Sequence, residues 1–129
     1  MTTLPAGFAA HTANIGIKDD SLDFVVVLGS PGTQGAAMFT KSRFAGASVV
    51  LSRELVAAGR TRGVVVLSKN SNVATGEEGM RNAKELVGAV AARLGCETDE
   101  FVIASTGVIG RQYPMDRIRR GVEIGRAHV

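Results

Sequence analysis

Ser105-Thr106-Gly107 is the stretch with the most direct route to chemistry. It follows the apolar run Phe101-Val102-Ile103-Ala104 and leads through Val108-Ile109-Gly110 toward a helix. Gly107 lets the backbone approach a ligand closely and take an unusual φ. Its N–H, with the Thr106 hydroxyl, could face a developing negative oxygen. Acyl transfer needs this, because its tetrahedral intermediate carries an oxyanion. Taken alone, the tripeptide has a simpler reading as a polar strand-to-helix turn.

A second loop, Lys69-Asn70-Ser71-Asn72-Val73-Ala74-Thr75-Gly76, also follows an apolar run and precedes a helix. Ligands of α/β proteins tend to sit beyond strand ends, near helix N-termini. Asn70 and Asn72 are therefore the candidate substrate-binding residues, although Asn and Ser often satisfy their own loop backbone instead. Lys69 reads as a solvated lysine with a substrate contact as the alternative. The loop lacks the glycine and lysine spacing of a phosphate-cradling Walker loop. His11 is the single histidine outside the last seven residues, and nothing in the spacing supports a triad built on it. No Cys/His/Asp cluster has metal-ligand spacing, so neither metal nor cofactor is expected. Arg111 and Tyr113 read as exposed loop residues, and Cys96, after Gly95, as a quiet structural thiol.

The elements that must position these loops are marked by hydrophobic periodicity. Strands are expected at 23–28, 64–68 and 101–105, with a weaker one at 8–17 and a short one at 35–40. The weaker strand at 8–17 and the short one at 35–40 would make a meander with 23–28. Pro31-Gly32 supplies the turn between them. Ala47, Val50, Leu51, Leu55 and Ala58 form a helical stripe over 47–58, closed by Gly59. A helix over 77–94 buries Met80, Ala83, Val87, Val90, Ala91 and Leu94. Thr75 and Glu78 stand at capping-box spacing at its start, and Gly95 at its end. Pro114 suits the first turn of a last helix with Met115 and Ile118 on one face. Helices and buried-type strands in alternation predict an α/β layered domain.

The totals fit one domain. The chain has 129 residues, 45% of them hydrophobic, 5% aromatic and 16 of them Gly, so its core must be built mainly from aliphatic residues. The net charge of +3 comes from scattered bases. Arg117, Arg119 and Arg120 crowd together beside Asp116, but no aromatic residues interleave, so a solvated helix face is expected and nucleic acid is not. A single cysteine excludes an internal disulfide and suits a reducing compartment. The N-terminus shows no signal-peptide pattern, and the apolar run Phe24 to Leu28 is far too short to span a bilayer. These features point to a cytoplasmic protein.

Together, the segments from about Leu4 to Gly121 resemble the ornithine acetyltransferases, the bifunctional glutamate N-acetyltransferases. The match is carried by Gly7-Phe8, Phe39-Thr40 with Arg43, Val64 to Gly76 with its Asn-x-Asn and Thr-Gly, Ala104 to Gly110, and Pro114-Met115. The resemblance implies an α+β layered sandwich of the self-cleaving, N-terminal-nucleophile-like type. It implies a precursor that cuts itself into α and β subunits, likened to an α2β2 heterotetramer. The new N-terminal Thr of β takes acetyl from N-acetylornithine and passes it to glutamate in a ping-pong cycle. A freed α-amine beside a poorly nucleophilic hydroxyl gives that Thr its base. The resemblance puts the oxyanion hole on Thr106 and Gly107. It carries over no nucleophile, because the family's Pro-Asn-Met-Ala-Thr-Met-Leu cleavage motif does not occur here; Ala74-Thr75 is only an echo of it.

Two departures, at Lys69 to Ala74 and at Arg111, together with Ser42 to Gly46, look more like the paralogues associated with β-lactam biosynthesis than like arginine-pathway members. Residues 1–122 are thus expected to be the N-terminal part of an α chain, inactive by itself. Glu123 to Val129 resembles translated sequencing adapter and is expected to be foreign. Alternative readings are a related self-cleaving amidohydrolase or aminopeptidase, a non-catalytic anion-binding module using the Asn70 loop, and a fragment with no stable fold.

Overall fold

The computed structural model describes residues 4–17 and 21–125. Residues 126–129 of the tail read as foreign lie outside the described residues, as do residues 1–3 of the N-terminal stretch. The chain runs β1 (Phe8–Ala13), β2 (Phe24–Gly29), α1 (Ala47–Ala57), β3 (Gly63–Leu67), α2 (Gly76–Arg93), a 3-10 turn (Thr98–Glu100), β4 (Phe101–Ser105) and α3 (Met115–Gly125). The sheet order is β1-β2-β3-β4. The first two pairings are antiparallel and β3–β4 is parallel, with Val65 opposite Ile103 and Leu67 opposite Ser105. A parallel pair needs a long crossover, and α2 provides it.

Successive strand residues face opposite sides of a sheet. Phe24 and Val26, Val65 and Leu67, and Phe101 and Ile103 are buried on one side. They share a core with Leu51 of α1, with Ala83, Leu86, Val87, Val90 and Ala91 of α2, and with Ile118 and Val122 of α3. Each such aliphatic side chain contributes about 1.5–3 kcal/mol on burial. The alternating Val25, Val27, Val64, Val66 and Val102 are only partly buried. The helices expected over 47–58 and 77–94 and the strands expected at 23–28, 64–68 and 101–105 are present within a residue or two of those bounds, while the weak strand at 8–17 ends at Ala13.

Four local expectations are corrected. Residues 35–40 form no strand: the segment is mostly exposed, Met38 almost fully so. The place beside β2 goes to β3, whose Val64-Val65-Val66-Leu67 is the stronger buried strand. The face of α1 is rotated from the expected stripe, with Ser48, Leu51 and Ser52 as its buried residues and Ala58 exposed. The reason lies in β4, an edge strand whose outward backbone groups need partners. Ser52 Oγ donates to the Ile103 carbonyl at 2.8 Å and accepts from the Ile103 N–H at 2.9 Å. The third correction is at the start of α2. Thr75 is the N-cap but makes no side-chain cap, because its hydroxyl donates to Asn72 Oδ1 at 2.7 Å. A capping box forms instead at Glu97 and Glu100, around the 3-10 turn. The fourth is Tyr113, which is buried at 3% exposure rather than lying on the surface.

Glycines close the helices as expected, Gly59 at φ 75° and Gly95 at φ 68°. Two polar clamps fix the sheet ends. Asp23 accepts the Ile15 and Ile17 N–H groups at 2.9 and 2.8 Å, and its carbonyl accepts the Ser68 N–H at 2.9 Å. Arg62 pairs with Glu100 and donates to the Gly29 carbonyl at 2.9 Å. The hydrogen bond from Arg62 holds the Glu100 carboxyl below its ordinary pKa. On α3, Arg119 forks onto Glu85 and reaches Asp116, so part of the basic cluster is ion-paired on an exposed face. No helix among the described residues is long and apolar enough to cross a membrane.

Candidate functional site

Past their paired ends, β3 and β4 continue side by side as two loops. The Thr106 N–H donates to the Leu67 carbonyl at 3.0 Å, the Val108 N–H to the Lys69 carbonyl at 3.2 Å, and the Ser71 N–H to the Val108 carbonyl at 3.0 Å. A parallel bridge joins Asn70 to Val108. Further out, the Gly110 N–H donates to the Val73 carbonyl at 2.7 Å. The loop that carries Asn70 and Asn72 and the loop that carries Thr106 and Gly107 are therefore one unit.

Gly107 is the point of closest approach. A Cβ there would lie 2.2 Å from the Lys69 carbonyl carbon and 2.5 Å from the Asn70 nitrogen, and φ is +135°. Only glycine satisfies both demands. The Gly107 N–H and the Thr106 hydroxyl donate to no protein group among the described residues, and both residues are exposed. The facing loop is strained: Lys69, Asn72 and Ala74 have φ of 74°, 54° and 59° although none is glycine. Such conformations cost on the order of 1–3 kcal/mol each and persist where surrounding contacts enforce them.

Those contacts come from the asparagines. Asn70 is buried, donates from Nδ2 to the Arg111 and Gln112 carbonyls at 3.0 and 3.2 Å, and accepts the Asn72 N–H at 2.8 Å. Asn72 is fully buried; its Nδ2 donates to the Gly79 carbonyl at 3.0 Å and its Oδ1 accepts from Thr75. Both amides are spent on holding the loop. Lys69 and Arg111 are exposed beside it.

Beneath Thr106 lies a group that the sequence reading missed. Ser48 Oγ stands 2.8 Å from Ser105 Oγ and 3.2 Å from the Tyr113 hydroxyl, and Tyr113 also bonds Ser105. Burial raises the Tyr113 pKa further above its ordinary value, more than its bonds to Ser105, Ser48 and Asn72 lower it, so the phenol remains a donor at neutral pH. Ser48 was concealed beside the apolar Val49, Val50 and Leu51 of α1; Tyr113, the single tyrosine of the chain, was the available signal.

The other candidates lie apart. His11 sits opposite Val26 on edge strand β1, three strand spacings or roughly 14 Å from β4. The Thr75 hydroxyl is internally bonded. Cys96 is partly buried and accepts from Arg62 Nη2 at 3.1 Å. Among the described residues no three His, Cys, Asp or Glu side chains gather as a metal site. What the two loops offer chemically is a pair of adjacent, uncommitted hydrogen-bond donors on a rigid frame.

Comparison with known proteins agrees with the elements and the loops. The chain is 60% identical over 117 residues to glutamate N-acetyltransferase Oat2 of Streptomyces clavuligerus, covering 89% of this chain and 30% of that protein. It is 48% identical over 120 residues to the arginine biosynthesis bifunctional protein ArgJ of Rhodococcoides fascians, covering 92% of this chain and 30% of that protein. The chain thus spans about a third of the length of these relatives. In structure it is similar to the ornithine acetyltransferase of Mycobacterium tuberculosis, solved in complex with ornithine. That likeness has a TM-score of 0.86 and 34% identity, and covers 97% of this chain and 66% of the other. The ArgJ protein of Bacillus halodurans gives the same TM-score, 0.86, at 27% identity over 91% of this chain and 62% of the other. The model of the ArgJ family matches residues 9–128, nearly the whole sequence, and the chain belongs to that family, the ornithine acetyltransferases.

Proposed function

We propose that this segment supplies the oxyanion-binding loop of a glutamate N-acetyltransferase that moves acetyl from N-acetylornithine to glutamate. The observation that carries the reading is the pair of free donors, the Thr106 hydroxyl and the Gly107 N–H, exposed where the chain passes so close to Lys69 and Asn70, at φ +135°, that only glycine fits. The nucleophile comes from the part of the full-length protein beyond this segment. It is the N-terminal Thr of the β chain released from the same precursor, with which this segment forms the working α2β2 assembly. Its hydroxyl adds to the acetyl carbonyl of N-acetylornithine while its α-amine takes the proton. The carbonyl oxygen becomes an oxyanion facing Thr106 and Gly107. Collapse breaks the C–N bond, ornithine leaves with the proton, and acetyl stays on the Thr. Glutamate's amine then adds to the same carbonyl, giving a second oxyanion and passing a proton to the Thr α-amine; collapse breaks the ester C–O bond, the Thr oxygen takes that proton back, and N-acetylglutamate leaves. Donors fixed before the reaction stabilise both charged states without reorganising.

Asn70 and Asn72 act in this scheme by holding the loop that faces Gly107, not by touching substrate, since their amides are spent internally. The same fact weakens the anion-binding alternative, which needs those amides. A hydrolase would share the oxyanion donors and differ only in passing acetyl to water.

The test is an exchange assay on the full-length protein that carries this segment. Incubation with N-acetylornithine should leave acetyl on the β-chain Thr, seen by intact-mass spectrometry, and added glutamate should discharge it as N-acetylglutamate. Release of free acetate at the same rate with or without glutamate would replace the transferase by a hydrolase. The 129-residue chain by itself should catalyse no exchange, because an oxyanion site without a nucleophile forms no acyl-enzyme; measurable turnover by it would contradict the assignment.

A further inference from the structure

We propose that Tyr113 is a positioning residue for the reaction, acting through Ser105 and Ser48 to hold Thr106 and Gly107 where an oxyanion forms; the proposal rests on the acyl-transfer reading above. Ser105 is the last residue of β4 and the covalent neighbour of Thr106. Its hydroxyl turns inward, to Ser48 at 2.8 Å and to Tyr113. Ser48 stands in the first turn of α1, so the three hydroxyls tie the end of the strand to a helix and to the segment entering α3. A phenol has one proton to donate and lone pairs to accept with, so Tyr113 can serve both serines at once. Tyr113 is buried, while Thr106, one residue from its partner, is exposed and has no side-chain bond of its own among the described residues. The orientation of Thr106 is therefore fixed from below.

The neighbours of Tyr113 strengthen the tie. Asn70 binds the carbonyls of Arg111 and Gln112, and Gln112 Nε2 donates to the Thr75 carbonyl at 2.7 Å. Residues 111–113 thus strap both loops together, and the phenol is the part of the strap that reaches β4. A donor misplaced by about 1 Å can cost on the order of 10²-fold in rate, whereas ground-state binding depends on the substrate contacts as a whole.

The experiment compares wild type, Tyr113→Phe, Thr106→Val and the double variant in the full-length, self-cleaved enzyme. It measures melting temperature, kcat and KM for N-acetylornithine, and single-turnover acetylation. Tyr113→Phe removes one oxygen and leaves Ser48 and Ser105 bonded to each other, so folding should survive. Its kcat should fall about tenfold or more with KM within about twofold. Tyr113→Phe should cost less in the Thr106→Val background than in wild type, because part of what it positions is already gone. A folded Tyr113→Phe enzyme with near-normal kcat, beside a slow Thr106→Val enzyme, would overturn the positioning role and leave the acyl-transfer reading standing. A Thr106→Val enzyme at wild-type speed would overturn that reading, and the positioning role with it. Should Tyr113→Phe fail to fold, Ser105→Ala cuts the link to β4 while keeping the Ser48–Tyr113 contact. It should show the same kcat-selective loss, and wild-type kcat in Ser105→Ala would overturn the proposal.

Discussion

Gly107→Ala is expected to remove acyl transfer from the full-length enzyme and to lower its stability. The new methyl would enter the space of the Lys69 carbonyl carbon and the Asn70 nitrogen, 2.2 and 2.5 Å away, and both are backbone atoms that cannot swing aside. Overpacking of this kind costs typically about 1–3 kcal/mol. A non-glycine residue at φ +135° adds backbone strain of about 1–3 kcal/mol. The chain can escape only by moving the loop, and the Gly107 N–H moves with it. Loss of one oxyanion donor alone costs about 10²–10³ in kcat. Thermal unfolding and single-turnover acetylation on one preparation check both halves. A folded alanine variant with unchanged melting temperature and rate would mean that the loops do not touch as described.

Thr106→Val isolates the other donor. Valine keeps the shape of threonine, and the Thr106 hydroxyl makes no internal hydrogen bond that the fold would miss. Stability should therefore change little, while kcat falls about 10²–10³, or roughly 3–4 kcal/mol of barrier. Both half-reactions should slow, because acetylation and deacetylation each pass through an oxyanion. Affinity for N-acetylornithine should change much less, because the donors act mainly on the transition state. If Thr106 only shapes the turn, the folded variant will acetylate within about threefold of wild type, under about 1 kcal/mol of barrier.

Much of this frame is legible in the residues themselves. Val64 to Leu67 and Phe101 to Ala104 are continuous apolar runs, and the helix crossing between them repeats its apolar side chains at helical spacing. A parallel pair with two loops at one end follows from that order. Gly107 is legible too, since a glycine at the mouth of a strand is the natural place for a close approach. What the pattern hides is polar burial. Ser48 and Ser52 look like breaks in an apolar helix face, yet Ser52 is buried to satisfy backbone groups of the edge strand β4, and Ser48 to meet the Ser105 and Tyr113 hydroxyls. Tyr113 looks like a loop residue because nothing nearby in sequence shows that Ser48 and Ser105, distant along the chain, will meet it. Thr75 and Glu78 have the spacing of a capping box, but the positive φ angles of Asn72 and Ala74 turn the threonine toward Asn72 instead. The serines and Tyr113 are hidden by tertiary contacts, whereas at Thr75 one local hydrogen bond, three residues apart, displaces another.

Acyl transfer by this enzyme depends, in the proposed mechanism, on Thr106 and Gly107 facing the oxyanion. The most direct measurement is a crystal structure of the full-length, self-cleaved enzyme with a phosphonate mimic of the tetrahedral intermediate attached to the β-chain threonine. One phosphonyl oxygen is expected about 2.7–3.1 Å from both Thr106 Oγ1 and the Gly107 nitrogen. An ordered mimic whose oxygens are bound by other donors, with Thr106 and Gly107 beyond hydrogen-bond reach, would contradict it.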